Sequence, residues 1–328
     1  MSERTSDPRQ LFVAAQGGDR ASLARLLSII ERGGDDSREI GRMSYPLIGD
    51  GYSVGITGAP GAGKSTLTSA LIAHLRSGMT DIATKVAVLA IDPSSPFTGG
   101  AILGDRVRMQ DHATDEGVFI RSMATRGHLG GLSLATSEAM RLLDAVKYPW
   151  ILVETVGVGQ VEVEIAGKAD STIVVVNPGW GDAVQANKAG LMEIADVFVI
   201  NKADRKGVEE TRRDLEQMLE LSDLASGVWR PSIIATVATT GEGVDKMWTE
   251  VLRHRSHMQS SGDLVTRRSN RIRQEMLTII ETRLAHRART ICSGPRWDSL
   301  EAQVFAHSID PWSAADQMLD GILEGFGA

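Results

Sequence analysis

The plainest chemistry in the chain is carried by GAPGAGKS at residues 58–65. The string fits G-x-x-x-x-G-K-[ST] and stands between a β-rich run, Ser53–Thr57, and a helical stretch, 64–77, which is the setting in which such a loop wraps phosphate. Gly58, Gly61 and Gly63 let the backbone bend so that N–H groups of the 58–66 stretch, including Ala59, Ala62 and Thr66, face phosphate oxygens around Pro60. Lys64 is the cation expected at the β- and γ-phosphates. The Ser65 hydroxyl is the expected Mg²⁺ ligand, and the helix that starts there adds its positive dipole end.

A second string, NKAD at 201–204, follows the apolar run Val197–Ile200 and lies 137 residues beyond Lys64. A carboxylate at Asp204 can accept two hydrogen bonds from guanine N1–H and the 2-amino group. Adenine lacks that donor pair and leaves the carboxylate unpaired. Asn201 is expected at the purine N7 edge, with the Lys202 stem covering the base plane. A third base-reading element is expected at Thr236-Val237-Ala238. Val237 has no hydroxyl, so contact with the guanine O6 falls to backbone N–H, with Ala238 the expected donor.

Carboxylates for a metal lie at three places. Glu154 opens ETVG at the end of the run Trp150–Val153, where an acid can hold Mg²⁺ through water while Gly157 approaches the γ-phosphate. Asp92 and Asp105 flank the long stretch after the second β-rich run. The position after Gly157 is Val158, where Ras-like enzymes orient the attacking water with Gln, so intrinsic hydrolysis is expected to be slow. Gln160, Arg106, Arg108, Lys188 or a partner's arginine could supply what is missing. The catalytic set is therefore Lys64, Asp105, Gly157, Gln160 and Lys188. The stretch 177–190, NPGWGDAVQANKAG, has the hinges of a nucleotide-sensitive loop, and Trp180 in it is either a partner anchor or packed on its own domain.

These residues need a frame. Seven β-rich runs, Ser53–Thr57, Val86–Asp92, Val118–Arg121, Trp150–Glu154, Thr172–Asn177, Val197–Asn201 and Ser232–Thr236, alternate with helical stretches at 64–77, 132–146, 184–195 and 208–220. Nearly continuous apolar runs suit strands buried on both faces of a parallel sheet. The pattern implies an α/β fold: a three-layer P-loop NTPase with a mostly parallel sheet. Helical extensions flank it. Residues 1–48 read as peripheral helices, with Leu23, Leu26, Leu27 and Ile30 on one face, Asp19 as a cap and a polar loop at 33–39. The nucleotide domain is 49–255. Residues 256–328 read as all helix. Val265, Ile272, Met276, Ile279, Ile280, Leu284 and Ile291 form one apolar stripe. Asp310-Pro311 opens a last amphipathic helix through Met318, Leu319, Ile322, Leu323 and Phe326.

Composition removes several classes. The formal charge of −7, from 35 basic and 42 acidic residues, argues against a nucleic-acid-binding surface. The run Arg267, Arg268, Arg271 and Arg273 has acids around it and reads as a solvated helix face. No apolar run is long enough for a membrane helix, and MSERTSDPRQ has no apolar signal core, so a cytoplasmic setting is expected. Cys292 is alone, which excludes a multi-cysteine metal site. His112 and His128 are isolated near the loops. His254 and His257 have zinc-like spacing, but no Cys or acid completes the set in the sequence nearby.

The chain resembles the MeaB/ArgK-type GTPases, a group that includes the methylmalonic aciduria type A proteins. Beyond the generic elements, the resemblance rests on DPSSPFTGGAILGDRVRM (92–109), IRSMATRGHLGG (120–131), ETVGVGQ (154–160) and PGWGDAVQANKAG (178–190). It implies a GTPase chaperone that gates cofactor loading of an adenosylcobalamin-dependent methylmalonyl-CoA mutase, or a related acyl-CoA mutase, and protects it. Adenosylcobalamin then belongs to the client, while this chain binds GTP or GDP with Mg²⁺. It also implies a homodimer built partly by the C-terminal extension. Carried over, the nucleotide loop falls on 58–66, the Mg²⁺ and first-switch acids on Asp92 and Asp105, and the Walker-B acid on Glu154. The guanine motif falls on 201–204, and the second and third switches on 154–165 and 178–188. The rival readings are a metal-delivering GTPase, which needs thiolate or imidazole ligands near the switches, and a P-loop kinase, which has no need of NKAD.

Overall fold

Every residue of Tyr52–Gly58 (β1), Trp150–Thr155 (β4), Ser171–Val176 (β5) and Val197–Asn201 (β6) is buried, as the unbroken apolar runs require. With Val86–Asp92 (β2), Val118–Ala124 (β3) and Ser232–Thr236 (β7) they form one seven-stranded sheet in the order β3-β2-β4-β1-β5-β6-β7. Every neighbouring pair is parallel. The computed structural model describes residues 7–77, 85–92, 110–112, 114–124, 129–155, 167–179, 193–221 and 227–323.

Alternation along the strands sends side chains to two separate cores. Val54, Ile56, Val88 and Leu152 pack with Leu67, Leu71 and Ile72 of α4 (Lys64–Arg76) and with Met247, Trp248 and Val251 of α7 (Val244–Ser261). Ala87, Leu89, Ile91, Ile151 and Val153 point the other way. They meet Ala139, Leu142 and Leu143 of α5 (Leu129–Ala145), together with Leu11 and Phe12 of α1 (Pro8–Gln16), Leu26, Leu27 and Ile30 of α2 (Arg20–Arg32) and Ile40 of α3 (Asp35–Ser44). The result is a three-layer α/β sandwich. The N-terminal helices are half of one layer, not the peripheral segment their sequence suggests.

Local signals account for the helix ends. Asp19 caps α2 by accepting from the amides of Ala21 and Ser22 at 3.2 and 3.0 Å. Gly33 and Gly34, at φ +70° and +91°, stop α2 and turn the chain straight into α3. The expected 33–39 loop therefore shrinks to two glycines, and Asp35 and Asp36 sit in a helix first turn, where acids suit the dipole. Val208–Leu221 (α6) lies over β6 and β7.

The chain divides into two compact units, Met1–Arg271 and Ile272–Ala328. Helix α8 (Asp263–Ile291) begins in the first unit. In the second, α9 (Pro295–Phe305) and α10 (Pro311–Leu323) close around Leu300, Ala314 and Met318, and Asp310 caps α10 by accepting from the amides of Trp312 and Ser313. Among the described residues no helix is long and apolar enough to cross a membrane.

Candidate functional site

All seven strands run the same way, so the loops after β1, β4, β6 and β7 gather at one end of the sheet. The loop after β1 is shaped by its glycines. Gly58 has φ +134°, and a Cβ there would stand 2.0 Å from the Val175 carbonyl oxygen. Gly63 has φ +91°, and its Cβ would meet Asn201 Nδ2 at 2.5 Å. Only glycine fits either place. The Ala59 amide donates to Val175 O at 3.1 Å, which pins the start of the loop to β5.

Four carbonyls of the loop are taken by donors from the protein. Lys64 Nζ donates to Gly58 O at 2.8 Å and to Ala59 O at 3.0 Å. Lys202 Nζ donates to Gly61 O at 2.6 Å, and Asn201 Nδ2 to Ala62 O at 2.8 Å. The Ala59 and Ala62 amides, expected at phosphate, are taken within the fold, by Val175 O and by Ala59 O, each at 3.1 Å. Helix α4 follows with no side-chain cap at Gly63, so the positive end of its dipole faces the loop. A glycine-shaped loop at a helix start with a buried ammonium at its side has the chemistry to hold an anion.

Ser65 Oγ donates to Glu154 Oε1 at 2.5 Å, and both side chains are buried. The pairing follows from register, because Glu154 lies opposite Ile56, two residues before the loop opens. A hydroxyl and a carboxylate, both hard oxygen donors, fit Mg²⁺ rather than a softer ion. Asp92 closes β2. The Asp92 side chain lies outside the described residues, as do Asp105, Gly157, Gln160 and Lys188, together with Arg106, Arg108, His128 and Trp180.

On the base side, Asn201 is the hub. Its Oδ1 accepts from Thr236 Oγ1 at 3.2 Å and from the Ala238 amide at 3.1 Å, while its Nδ2 holds the phosphate loop. One buried side chain thus ties the loop after β1 to the ends of β6 and β7. The Ala238 amide that the sequence reserves for guanine is occupied by Asn201, and the Val237 amide donates to Glu242 O at 3.0 Å. Lys202 holds φ +60°, which lays its stem back along the loop. Asp204 is exposed at the rim.

Of the arginine run, Arg273 is exposed as expected, whereas Arg267, Arg268 and Arg271 are part-buried against carboxylates. At the opposite end of the sheet, Arg267 donates to both oxygens of Asp196 at 2.8 and 3.0 Å. Arg268 and Arg271 converge on Asp170, and Arg271 also donates to the Lys168 carbonyl. These arginines fasten the start of α8 to the roots of β5 and β6. His254 is likewise structural. It is fully buried, its Nδ1 is 2.6 Å from Ser171 Oγ, and its Nε2 is 3.2 Å from Asp196 Oδ1. The acid missing from the local sequence is Asp196, the residue before β6. The Trp229 ring packs against both His254 and His257, and no cluster of metal-ligating side chains occurs among the described residues. His112 Nε2 lies 3.0 Å from both the Ser69 hydroxyl and the Ser69 carbonyl of α4.

Known proteins share this frame and its length. A family model described as methylmalonyl Co-A mutase-associated GTPase MeaB matches residues 23–292. A Pyrococcus abyssi protein carrying a GTPase name is 49% identical, covering 96% of this chain and 97% of its own. The methylmalonic aciduria type A homolog of Mus musculus is 33% identical over 97% of this chain and 81% of its own. A crystal structure titled LAO/AO transport system kinase superposes with a TM-score of 0.71 and 26% identity, covering 98% of this chain and all of that one. The chain belongs to the MeaB family of methylmalonyl-CoA mutase-associated GTPases.

Proposed function

We propose that the protein hydrolyses GTP to GDP and phosphate and uses that cycle to serve an adenosylcobalamin-dependent acyl-CoA mutase, with methylmalonyl-CoA mutase the first candidate. The observation that carries the nucleotide reading is Asn201. It ties the phosphate loop to the base-reading elements, and Asp204 of the same motif faces solvent where a guanine would approach. The loop amides and Lys64 bind and neutralise the phosphates. Ser65 and Glu154 would hold Mg²⁺, with Asp92 and Asp105 as further acids, and the ion would neutralise charge on the β- and γ-oxygens. Gly157, Gln160 and Lys188 are assigned to the water and the transferring group. The apolar Val158 next to Gly157 makes the unaided site a poor one.

The client assignment rests on family membership. The mutase would complete the weak site and, in return, have its cofactor loading gated by the nucleotide state; adenosylcobalamin stays with the mutase. Residues 49–255 would carry the nucleotide chemistry, 1–48 would cover the sheet, and 256–328 would form the arm of a homodimer. A cytoplasmic setting suits such a client. The test is GTP hydrolysis by the pure protein, alone and with the organism's methylmalonyl-CoA mutase. We expect slow turnover that rises more than about tenfold with the mutase, worth ~1.4 kcal/mol in the transition state. An unchanged rate with GTP still preferred over ATP would discard this client and keep the GTPase.

A further inference from the structure

Two threonines lie just beneath the nucleotide loop, on the face of the sheet whose core is built mainly from apolar side chains. Thr57 precedes Gly58 on β1, and Thr155 follows Glu154 on β4. Both are completely buried. Their strand positions share a face with Ile91, Ile151 and Val153, opposite the face that carries Glu154 to Ser65. Thr155 Oγ1 donates to Thr57 Oγ1 at 3.0 Å. Valine has the same shape and would suit a dry core better, so two hydroxyls here need a reason.

The reason lies in where the strand pairing stops. The last residues aligned between β1 and β4 are Ile56 and Glu154. Beyond them β1 turns away into the loop at Gly58. The hydroxyl bond therefore takes over where the β1–β4 ladder ends. It ties the two strands at the level that fixes how far Glu154 stands from the first turn of α4.

We infer that Thr57 and Thr155 are a positioning pair that sets the Ser65–Glu154 spacing and thereby the Mg²⁺ affinity of the site. The inference rests on the GTPase reading. Mg²⁺ demands near-ideal geometry, so a small loosening of its oxygens costs affinity. Partners one layer behind metal ligands commonly change metal affinity by about 10- to 100-fold when removed. Base recognition sits on β6 and β7, on the other side of β5, and is untouched.

The test is the Mg²⁺ dependence of GTP hydrolysis in wild type, Thr155→Val, Thr57→Val and Thr155→Ser. Loss of either hydroxyl should raise the Mg²⁺ concentration for half-maximal rate about tenfold, with GDP binding in EDTA within about twofold of wild type. Thr155→Ser keeps the hydroxyl and should restore the wild-type requirement. A purely structural role would lower the melting temperature and leave the Mg²⁺ requirement alone. An unchanged requirement in both valine variants overturns the inference, as does Thr155→Ser behaving like Thr155→Val. If Thr155→Val does not fold, Thr57→Val alone decides. Wild-type protein that hydrolyses no GTP at any Mg²⁺ overturns the GTPase reading itself, and this inference with it.

Discussion

Arg268 grips Asp170 through two parallel hydrogen bonds, Nε to Oδ1 at 3.0 Å and Nη2 to Oδ2 at 2.7 Å, and the same Nη2 reaches Gly51 O at 2.8 Å. Asp170 also accepts from the amide and the hydroxyl of Ser53, both at 3.0 Å, so one buried carboxylate joins β1, β5 and α8. Asp170→Ala would strand Arg268 and Arg271 without their anion. Breaking a buried pair from one side costs about 3–5 kcal/mol. We expect a loss near the low end, because the arginines are part-exposed, measured as a lower urea midpoint.

The same carboxylates make stability depend on pH. Burial pushes Asp170 and Asp196 upward; the hydrogen bonds and charges of Arg268 and Arg271 on Asp170, and of His254 and Arg267 on Asp196, outweigh it and hold both below 3.8. A carboxylate depressed in the folded state contributes stability above its unfolded pKa and loses it as pH falls through the folded one. The contribution should be complete above about pH 5 and fade progressively below pH 4. Urea midpoints taken across that range should fall steeply for wild type and less for Asp170→Asn. Parallel curves would refute the assignment.

That clamp was illegible in the sequence for a physical reason. Arg268 and Asp170 are 98 residues apart, and Arg267 and Asp196 are 71 apart. A charge run on a helix looks the same whether its partners are water or buried carboxylates. His254 was obscured likewise, its acid coming from the foot of another strand. What could be read were local signals with fixed spacing. The seven strands were visible because burial on both faces leaves continuous apolar runs, and the phosphate loop because its glycines, lysine and serine are consecutive. Glycine spacing did not reveal that α3 begins directly after Gly34, because a polar DDSRE stretch suits a helix start as well as a loop.

Asn201 and Asp204 should separate cleanly in nucleotide binding. Asn201→Ala leaves Ala62 O, Thr236 Oγ1 and the Ala238 amide without their shared partner. At about 1–3 kcal/mol per stranded buried group, GTP and GDP should both bind roughly 10- to 100-fold more weakly, together with lower stability. Asp204→Asn strands nothing in the free protein, since its side chain is exposed. It should leave the melting temperature alone and reduce the preference for GTP over ATP by roughly 10- to 100-fold. Competition titrations of both variants against GDP and ADP decide this. An unchanged base preference in Asp204→Asn would remove the guanine assignment.

Lys64→Ala should abolish hydrolysis, because Lys64 is the buried cation at the loop and also holds Gly58 O and Ala59 O. Its loss removes charge stabilisation and frees two carbonyls to turn toward the phosphates. Loss of one such preorganised donor costs roughly 10²–10³ in rate. Phosphate release under single-turnover conditions is the measurement, and normal turnover would sink the phosphate assignment.

The arm of the proposed dimer can be tested apart from the nucleotide site. Met276, Ile280 and Leu284 recur every four residues along α8 and are 57%, 50% and 58% exposed. An apolar stripe of that length on a solvated helix is a contact surface in search of a partner. A second copy of the chain can supply the same stripe through a twofold axis, which is the commonest way such faces are covered. Light scattering should give twice the chain mass for wild type at micromolar concentration. Met276→Glu combined with Leu284→Glu should give the monomer mass, since two carboxylates facing their own images cannot be desolvated without a partner. A wild-type monomer would return the stripe to its own chain or to the client, and a double variant that stays dimeric would move the interface elsewhere.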